Sequence, residues 1–264
     1  MNAQPAPIFA RAVAESGHWY TLAGQPAYTV KSANGLDRPT TLADARKLAL
    51  VPSVTTIQKI KAAPALTNWL IEQAILSALT LPRIDGESER DYIARVKVDG
   101  QAQGKEAAAE GTRIHNAIKA HFLGGTSPHY AAHVTGALQA IAAHFPGVTD
   151  WVSEASFADQ NGYGGKVDLH SPSTGIVIDY KGKDLSPNDP PKDLVYGNHR
   201  EQLAAYHRGL NLPTNRCANL FVSRTHPGYC VMQVSTIEQI AHGWKVFEAL
   251  LRVWQAENKF YMQE

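Results

Sequence analysis

The sequence predicts an α/β fold of the α+β kind, a mixed central β-sheet flanked by helices with a helical lobe at the N-terminal end. Three observations predict it. Before about residue 145, apolar residues recur at helical steps, as in Ile114, Ile118 and Phe122. From Trp151 the period shifts toward two and β-branched runs appear, as in Ile176-Val177-Ile178. A helix-like stretch, Arg200 to Leu210, then separates these strands from two more. The expected division is residues 1–100 as an N-terminal extension and helical lobe, and residues 101–264 as the core.

Residues 1–50 read as an irregular extension carrying one hairpin, His18 to Leu22 against Ala27 to Val30, around Ala23-Gly24-Gln25-Pro26. A short helix, Thr41 to Leu48, follows. Pro52 and Ser53 are start signals for a second helix, which the apolar residues Ile57, Ile60, Leu66, Trp69 and Leu70 carry to Leu79. Residues 82–100 form a charged helix, Gln101 to Leu123 a strong one ended by Gly124-Gly125, and Ala131 to His144 another. Residues 151–159 are a strand, and a hairpin covers Gly162 to Lys183. A Pro- and Asp-rich loop, residues 184–198, leads to the helix at Arg200. Strands at 217–225 and 228–235 flank His226-Pro227-Gly228, and Ser235 caps a final helix to Asn258.

The chain has 264 residues, 44% hydrophobic and 19% charged, enough for a substantial core. A net charge of +1 excludes a global basic signature, so a nucleic-acid partner would need a local patch. No apolar run approaches a membrane span, and the first twenty residues lack a basic start followed by an apolar core. With Cys217 and Cys230 outside any C-x-x-C pair, the expected setting is cytoplasmic with reduced thiols. Two cysteines cannot supply a four-cysteine zinc site or iron–sulfur cluster within one chain.

The hairpin concentrates the chemistry. Ser171-Pro172-Ser173-Thr174-Gly175 is rich in turn residues. A turn centred on Ser173-Thr174 places Asp168 directly opposite Asp179, with Cβ atoms roughly 4.5–5.5 Å apart. Without a cation such a pair is repulsive, and with one it is a ligand pair. The strand reading Ile-Val-Ile looks buried, and an isolated ionised carboxylate is strongly disfavoured there. Asp179 and Lys181 share a face, while Ile178 and Tyr180 point the other way. The same register sets Lys166 opposite Lys181, unless a bulge at Gly164-Gly165 turns it away. The run GYGGK lacks phosphate-loop spacing and leads into a strand, so it is not a nucleotide cradle.

Elsewhere the single residues are weaker signals. His115 sits on an amphipathic helix, where most histidines are packed or solvated. Gly111, one turn earlier, weakens a helix by about 1 kcal/mol relative to alanine, which points to a close approach of backbone to another element. Gln202 and Tyr206 are four apart on one helix face. Glu154, on the strand before the hairpin, is either a structural acid or a ligand for a second metal or its water. His129 and His133 lack the H-E-x-x-H context.

Taken in order, G-T-R-I-H at 111–115, G-G-K-V-D at 164–168, I-D-Y-K at 178–181 and Q-L-A-A-Y at 202–206 resemble the RecB-like branch of the PD-(D/E)XK nuclease superfamily. The set covers roughly residues 105–210. Pro52 to Ile57, with Trp69 behind it, is similar to the N-terminal helix of phage-type and mitochondrial genome-maintenance exonucleases of that branch. The iron–sulfur cysteines of other members are missing, as is a Walker motif.

The resemblance implies a PD-(D/E)XK-like core and a metal-dependent deoxyribonuclease, an exonuclease ahead of a structure-specific endonuclease, acting in phage or bacterial recombination and repair. It implies His115, Asp168, Asp179 and the backbone carbonyl of Tyr180 as metal ligands, with Glu154 the extra ligand if two ions bind. Lys181 would position the attacking water, and Gln202 and Tyr206 would contact DNA or support the site. The ion would be Mg2+ or Mn2+, one or two per site. The partner would be linear DNA, single-stranded or with a free end, held by Ser53, Thr55 and Thr56 and by Lys59, Lys61, Lys166, Lys183 and Arg200. Tyrosines and tryptophans of the N-terminal lobe would stack on single-stranded bases. A single-strand annealing or single-strand-binding protein would be a second partner, with no membrane involved. The rival readings are a catalytically silent DNA-binding accessory protein and a metal-dependent hydrolase of another substrate.

Overall fold

The computed structural model describes residues 18–190, 192–214 and 216–261. The expectations for residues 1–17 and for Pro191 within the 184–198 loop lie outside the described residues. The fold is mixed α and β. Five strands form the central sheet: β5 (Val152–Asp159), β6 (Tyr163–Ser171), β7 (Ile176–Lys183), β8 (Arg216–Ser223) and β9 (Cys230–Ser235), numbered after four short N-terminal strands. Spatial order follows chain order. β7 and β8 run parallel and the other neighbours antiparallel. The parallel pair requires a crossover, supplied by α6 (Gly197–Gly209), the sixth helix in the chain.

Helices cover both faces. α4 (Glu89–Phe122) and α5 (Ala131–His144) lay Ile114, Ile118 and Ile141 against Leu169, Ile178, Tyr180 and Leu220. On the other face, α6 and α7 (Ile237–Asn258) lay Leu203, Ile240 and Phe247 against Val167, Val177 and Cys217. Burying Leu, Ile, Val and Phe side chains on both faces contributes roughly 1.5–3 kcal/mol each.

The N-terminal part is built differently from the expected hairpin. The turn forms, with Thr21 N–H donating to Gln25 O at 2.8 Å. Beyond it the pairing is brief, with Ala27 N–H donating to Trp19 O at 2.8 Å and Tyr20 bridged to Pro26. β1 (Trp19–Tyr20) pairs with β4 (Val51–Pro52), and β2 (Thr29–Lys31) pairs with β3 (Asp37–Pro39). Trp19 is buried in the same cluster as Val167 and Phe247, so core burial outweighs local hairpin pairing. α1 (Leu42–Lys47) starts at Thr41 with a reciprocal Thr41–Asp44 capping box, as its sequence favours.

Two helix expectations change. The helix foreseen from Pro52 to Leu79 is two, α2 (Val54–Gln58) and α3 (Pro64–Thr80). Pro64 lacks an amide hydrogen and restricts Ala63 before it, so the chain breaks there. Conversely, the segments 82–100 and 101–123 fuse into the single 34-residue α4, capped by Ser88 through Asp91 N–H. The foreseen boundary at residue 100 therefore falls inside a helix. Nor are residues 18–60 a separate lobe, since Trp19, Val54 and Ile57 belong to the core. What projects is the α3–α4 hairpin, where Gly100 and Gly104 admit the α3 backbone and the Trp69 ring. The last helix is capped by Thr236, not Ser235, which ends β9.

Candidate metal centre and its lysines

The hairpin register is the predicted one: Ser171 pairs with Ile176, His170 with Val177 and Leu169 with Ile178. The turn is pinned from outside by Asp150, which accepts from Ser171 Oγ at 2.5 Å and Ser173 N at 2.8 Å. The regular ladder stops where the acids begin. At the next position Tyr180 N–H donates not to a carbonyl but to Asp168 Oδ2, at 2.7 Å. There β6 also changes face: Leu169 packs with α4 and α5, whereas Val167 packs with α6 and α7. Residues two apart in a regular strand share a face, so alternation breaks at Asp168.

The neighbouring strand breaks with it. Glu154, which the β5–β6 register sets opposite Asp168, has φ +62°. Left-handed backbone in a non-glycine residue costs roughly 1–2 kcal/mol, and such strain clusters at functional sites. The distortion brings three side chains together. His115 Nε2, reaching in from α4, lies 3.0 Å from Asp168 Oδ1 and 3.7 Å from Glu154 Oε1. One ligand atom from each of His115, Glu154 and Asp168 falls within 4.8 Å of the others.

Three lysines border this cluster. Lys119, one turn after His115, donates to Glu154 Oε2 at 3.1 Å. Lys166 also binds Glu154 Oε2. Lys166 was expected opposite Lys181, or turned away by a bulge at Gly164-Gly165. Neither holds: the β6–β7 ladder ends at Leu169–Ile178, so Lys166 is not set opposite Lys181, and the two glycines stay in register with Phe157 and Ala158 on β5. Small residues are needed there because Tyr20 and the Phe157 and Tyr206 rings crowd against them. The third lysine, Lys181, lies 2.8 Å from Asp179 Oδ2.

Asp179 stands outside the three-residue ligand cluster. It is 2% exposed, and its Oδ2 also accepts from Asn219 Nδ2 at 3.0 Å. A carboxylate in a strand this buried takes the nearest cation and amide as partners. Lys181 extends the chain of contacts by donating to Gln202 Oε1 at 3.1 Å, and Gln202 Nε2 donates to Tyr206 Oη at 2.8 Å. Gln202 and Tyr206 are both buried. Their position is one of support behind Lys181.

Burial pushes the Asp179 carboxyl up to about 6, against the charge of Lys181 and with that of Asp168. Burial works the other way on the Lys181 ammonium, but Asp179 and Asp168 outweigh it and Lys181 stays above its ordinary value. His115 behaves alike: burial lowers it, while Asp168, Glu154 and Asp179 raise it further. Across α6, burial and then Lys181, Lys183 and Arg200 hold His199 down to about 4.

The foreseen DNA contacts divide. Ser53 is buried and caps α2, its Oγ accepting Thr56 N–H at 3.0 Å, so it is not a surface ligand. Thr56 Oγ1 accepts from His18 N–H at 3.2 Å, while Thr55 is exposed. Lys61 forms a 2.6 Å ion pair with buried Glu201, tying the turn after α2 to α6. Lys183 sits over the Tyr196 ring, and Arg200 lies 3.3 Å from Asp193. Tyr180 enters the site through its amide, and its ring tilts against His115 with centroids 5.6 Å apart.

Sequence reasoning passed over Lys119 and Asn219. Lys119 lies four residues after His115 on one helix face, and Asn219 interrupts the apolar run Ala218-Asn219-Leu220-Phe221, where a buried amide demands a partner. A cleft of about 830 Å3 lies elsewhere, beside Arg208, Trp244 and Lys245, and none of the clustered acids lines it.

No family model matches the chain, and no curated protein matches it. Among solved structures, the crystal structure of SSO0001 matches at 15% identity and a TM-score of 0.28, over 72% of this chain and 87% of that one. A likeness of that degree assigns no function.

Proposed function

We propose that the protein is a metal-dependent nuclease that hydrolyses phosphodiester bonds in DNA, an exonuclease ahead of an endonuclease. The observation that carries the reading is the convergence of His115, Glu154 and Asp168 beside the Asp179–Lys181 pair. One imidazole nitrogen and two carboxylates suit Mn2+ or Mg2+. The fit has a further support: Glu154 Oε1 is buried without a hydrogen-bond partner and faces His115. An orphaned buried acceptor in a distorted strand is otherwise a net cost.

A bound divalent cation would supply charge stabilisation at the phosphate and lower the pKa of water. The chain's own residues supply the rest. His115, Glu154 and Asp168 would hold the ion, with Asp179 at its edge. Lys181, kept charged by Asp179, would orient water and offset phosphate charge. Gln202 and Tyr206 would hold the Lys181 ammonium in place, and Lys119 and Lys166 would add positive charge along the strand's path. This assignment keeps His115, Asp168 and Lys181 in the roles that the RecB-like resemblance implies, and brings Glu154 into the ligand set ahead of Asp179 and the Tyr180 carbonyl.

Incubating purified protein with labelled linear and circular DNA, in Mg2+, Mn2+ or EDTA, tests the reading. Metal-dependent loss of linear DNA alone is the expected result. Absence of cleavage in every format would remove the nuclease assignment in favour of a silent DNA-binding role.

A further inference from the structure

His18 and Tyr28 stack with ring centroids 4.6 Å apart and planes 25° from parallel. His18 is exposed and Tyr28 half-buried, and neither belongs to a core cluster. Both are nonetheless fixed. The His18 backbone is tied to the start of α2, with N–H to Thr56 Oγ1 at 3.2 Å and Ser53 N–H to its carbonyl at 2.8 Å. The Tyr28 carbonyl accepts Thr40 N–H at 2.9 Å. Its hydroxyl lies 2.7 Å from that of Tyr20, which is buried and meets the Tyr28 ring edge-on.

Tyr20 in turn rests on β6, its Cβ 3.0 Å from where a side chain on Gly164 would begin. Two residues on is Lys166, the lysine that binds Glu154 of the ligand cluster. A chain of contacts therefore links the aromatic pair, through buried Tyr20 and Gly164, to Lys166 and the carboxylates. Partial burial, then the charges of Lys59 and Lys166, hold His18 below its ordinary pKa, which favours the neutral ring.

A rigid, uncharged aromatic face bordered by cations fits a flat π-system attached to an anion. An unpaired nucleobase with its phosphate is such a group, and stacking of bases on aromatic side chains is tolerant of sequence. We propose that the His18–Tyr28 pair is a stacking platform for an unpaired base of a nucleic-acid strand whose backbone passes Lys166 toward Glu154 and Asp168. This rests on the nuclease reading above and names the part of the substrate that the N-terminal segment holds: a single-stranded stretch.

The test is binding, read without turnover. A labelled single-stranded oligonucleotide is titrated in EDTA by fluorescence anisotropy, with 2-aminopurine placed at successive positions to report stacking. Wild type should quench 2-aminopurine at one preferred position. His18→Ala and Tyr28→Ala should each weaken binding about ten-fold or more and remove that quench, whereas Tyr28→Phe, which keeps the ring, should stay within about three-fold. His18 is exposed, so His18→Ala carries the test even if Tyr28→Ala misfolds. Wild-type affinity and quench in His18→Ala would overturn the platform while leaving the nuclease reading intact, provided wild type still cleaves DNA. A wild type that neither binds nor cleaves DNA would remove both.

Discussion

A Cβ placed on Gly182 would lie 2.9 Å from the Cα of Gly111, whereas a Cβ on Gly111 would meet Gly182 Cα at 3.9 Å. This is where α4 crosses β7, one helical turn before His115. The crossing sets how near His115 comes to Asp168. The two glycines are thus unequal. Gly182→Ala should push the helix away, cost about 1–3 kcal/mol, and weaken metal affinity. Gly111→Ala should fold normally and gain up to about 1 kcal/mol from helix propensity. Chemical denaturation of both variants checks this, and equal losses would show that the crossing is not limited by Gly182.

His115, Glu154 and Asp168 should bind Mn2+ and stabilise the fold by mass action. At a free concentration about 100-fold above Kd, linkage contributes about 2.7 kcal/mol, or a Tm rise of about 5–10 °C for a chain of this size. His115→Ala and Asp168→Asn should abolish the rise in a thermal-shift assay run against EDTA. A rise of the same size in both variants would place the ion elsewhere.

Asp179 should make stability depend on pH in a defined window. Its folded pKa of about 6 stands above the ordinary 3.8, so between these values the folded state holds a proton that the unfolded state has lost. The contribution is neutral below about pH 4, and the penalty grows until about pH 6 and persists above it. The difference corresponds to roughly 3 kcal/mol as an order of magnitude. Relative to wild type, Asp179→Asn should therefore gain stability from pH 4 to pH 7 in metal-free urea melts. A constant difference would mean that Lys181 and Asn219 already compensate the buried charge.

Lys61 was expected to meet DNA, but it faces buried Glu201 at 2.6 Å. Lys61→Met should cost about 2–3 kcal/mol, less than for a fully buried pair because the ammonium is partly in water. Combining it with Glu201→Leu should recover most of the loss, since the uncompensated carboxylate goes too. Unfolding free energies of the two singles and the double variant measure this. An unchanged stability with a reduced salt slope of DNA binding would return Lys61 to the DNA surface.

By itself the sequence determined what is local. Turn residues at 171–175 and β-branched flanks set the hairpin register, so Leu169 opposite Ile178 was legible, and with it the nearness of Asp168 to Asp179. Helical period placed α5, α6 and α7 closely, although Thr236 and not Ser235 caps α7. Pro64 is equally local, and it separates α2 from α3. Tertiary structure alone decided the rest. Alternation predicts a straight β6, but the strand changes face at Asp168, and Glu154 opposite it takes left-handed backbone. The β6–β7 ladder ends before Lys166, which meets Glu154 instead of Lys181. The turn at 21–25 brings Tyr28 against His18, and burial of Trp19 and Tyr20 sets that pair beside β6. Which cation meets which carboxylate depends on strand twist and helix crossing between segments far apart in the chain, and periodicity does not encode those contacts.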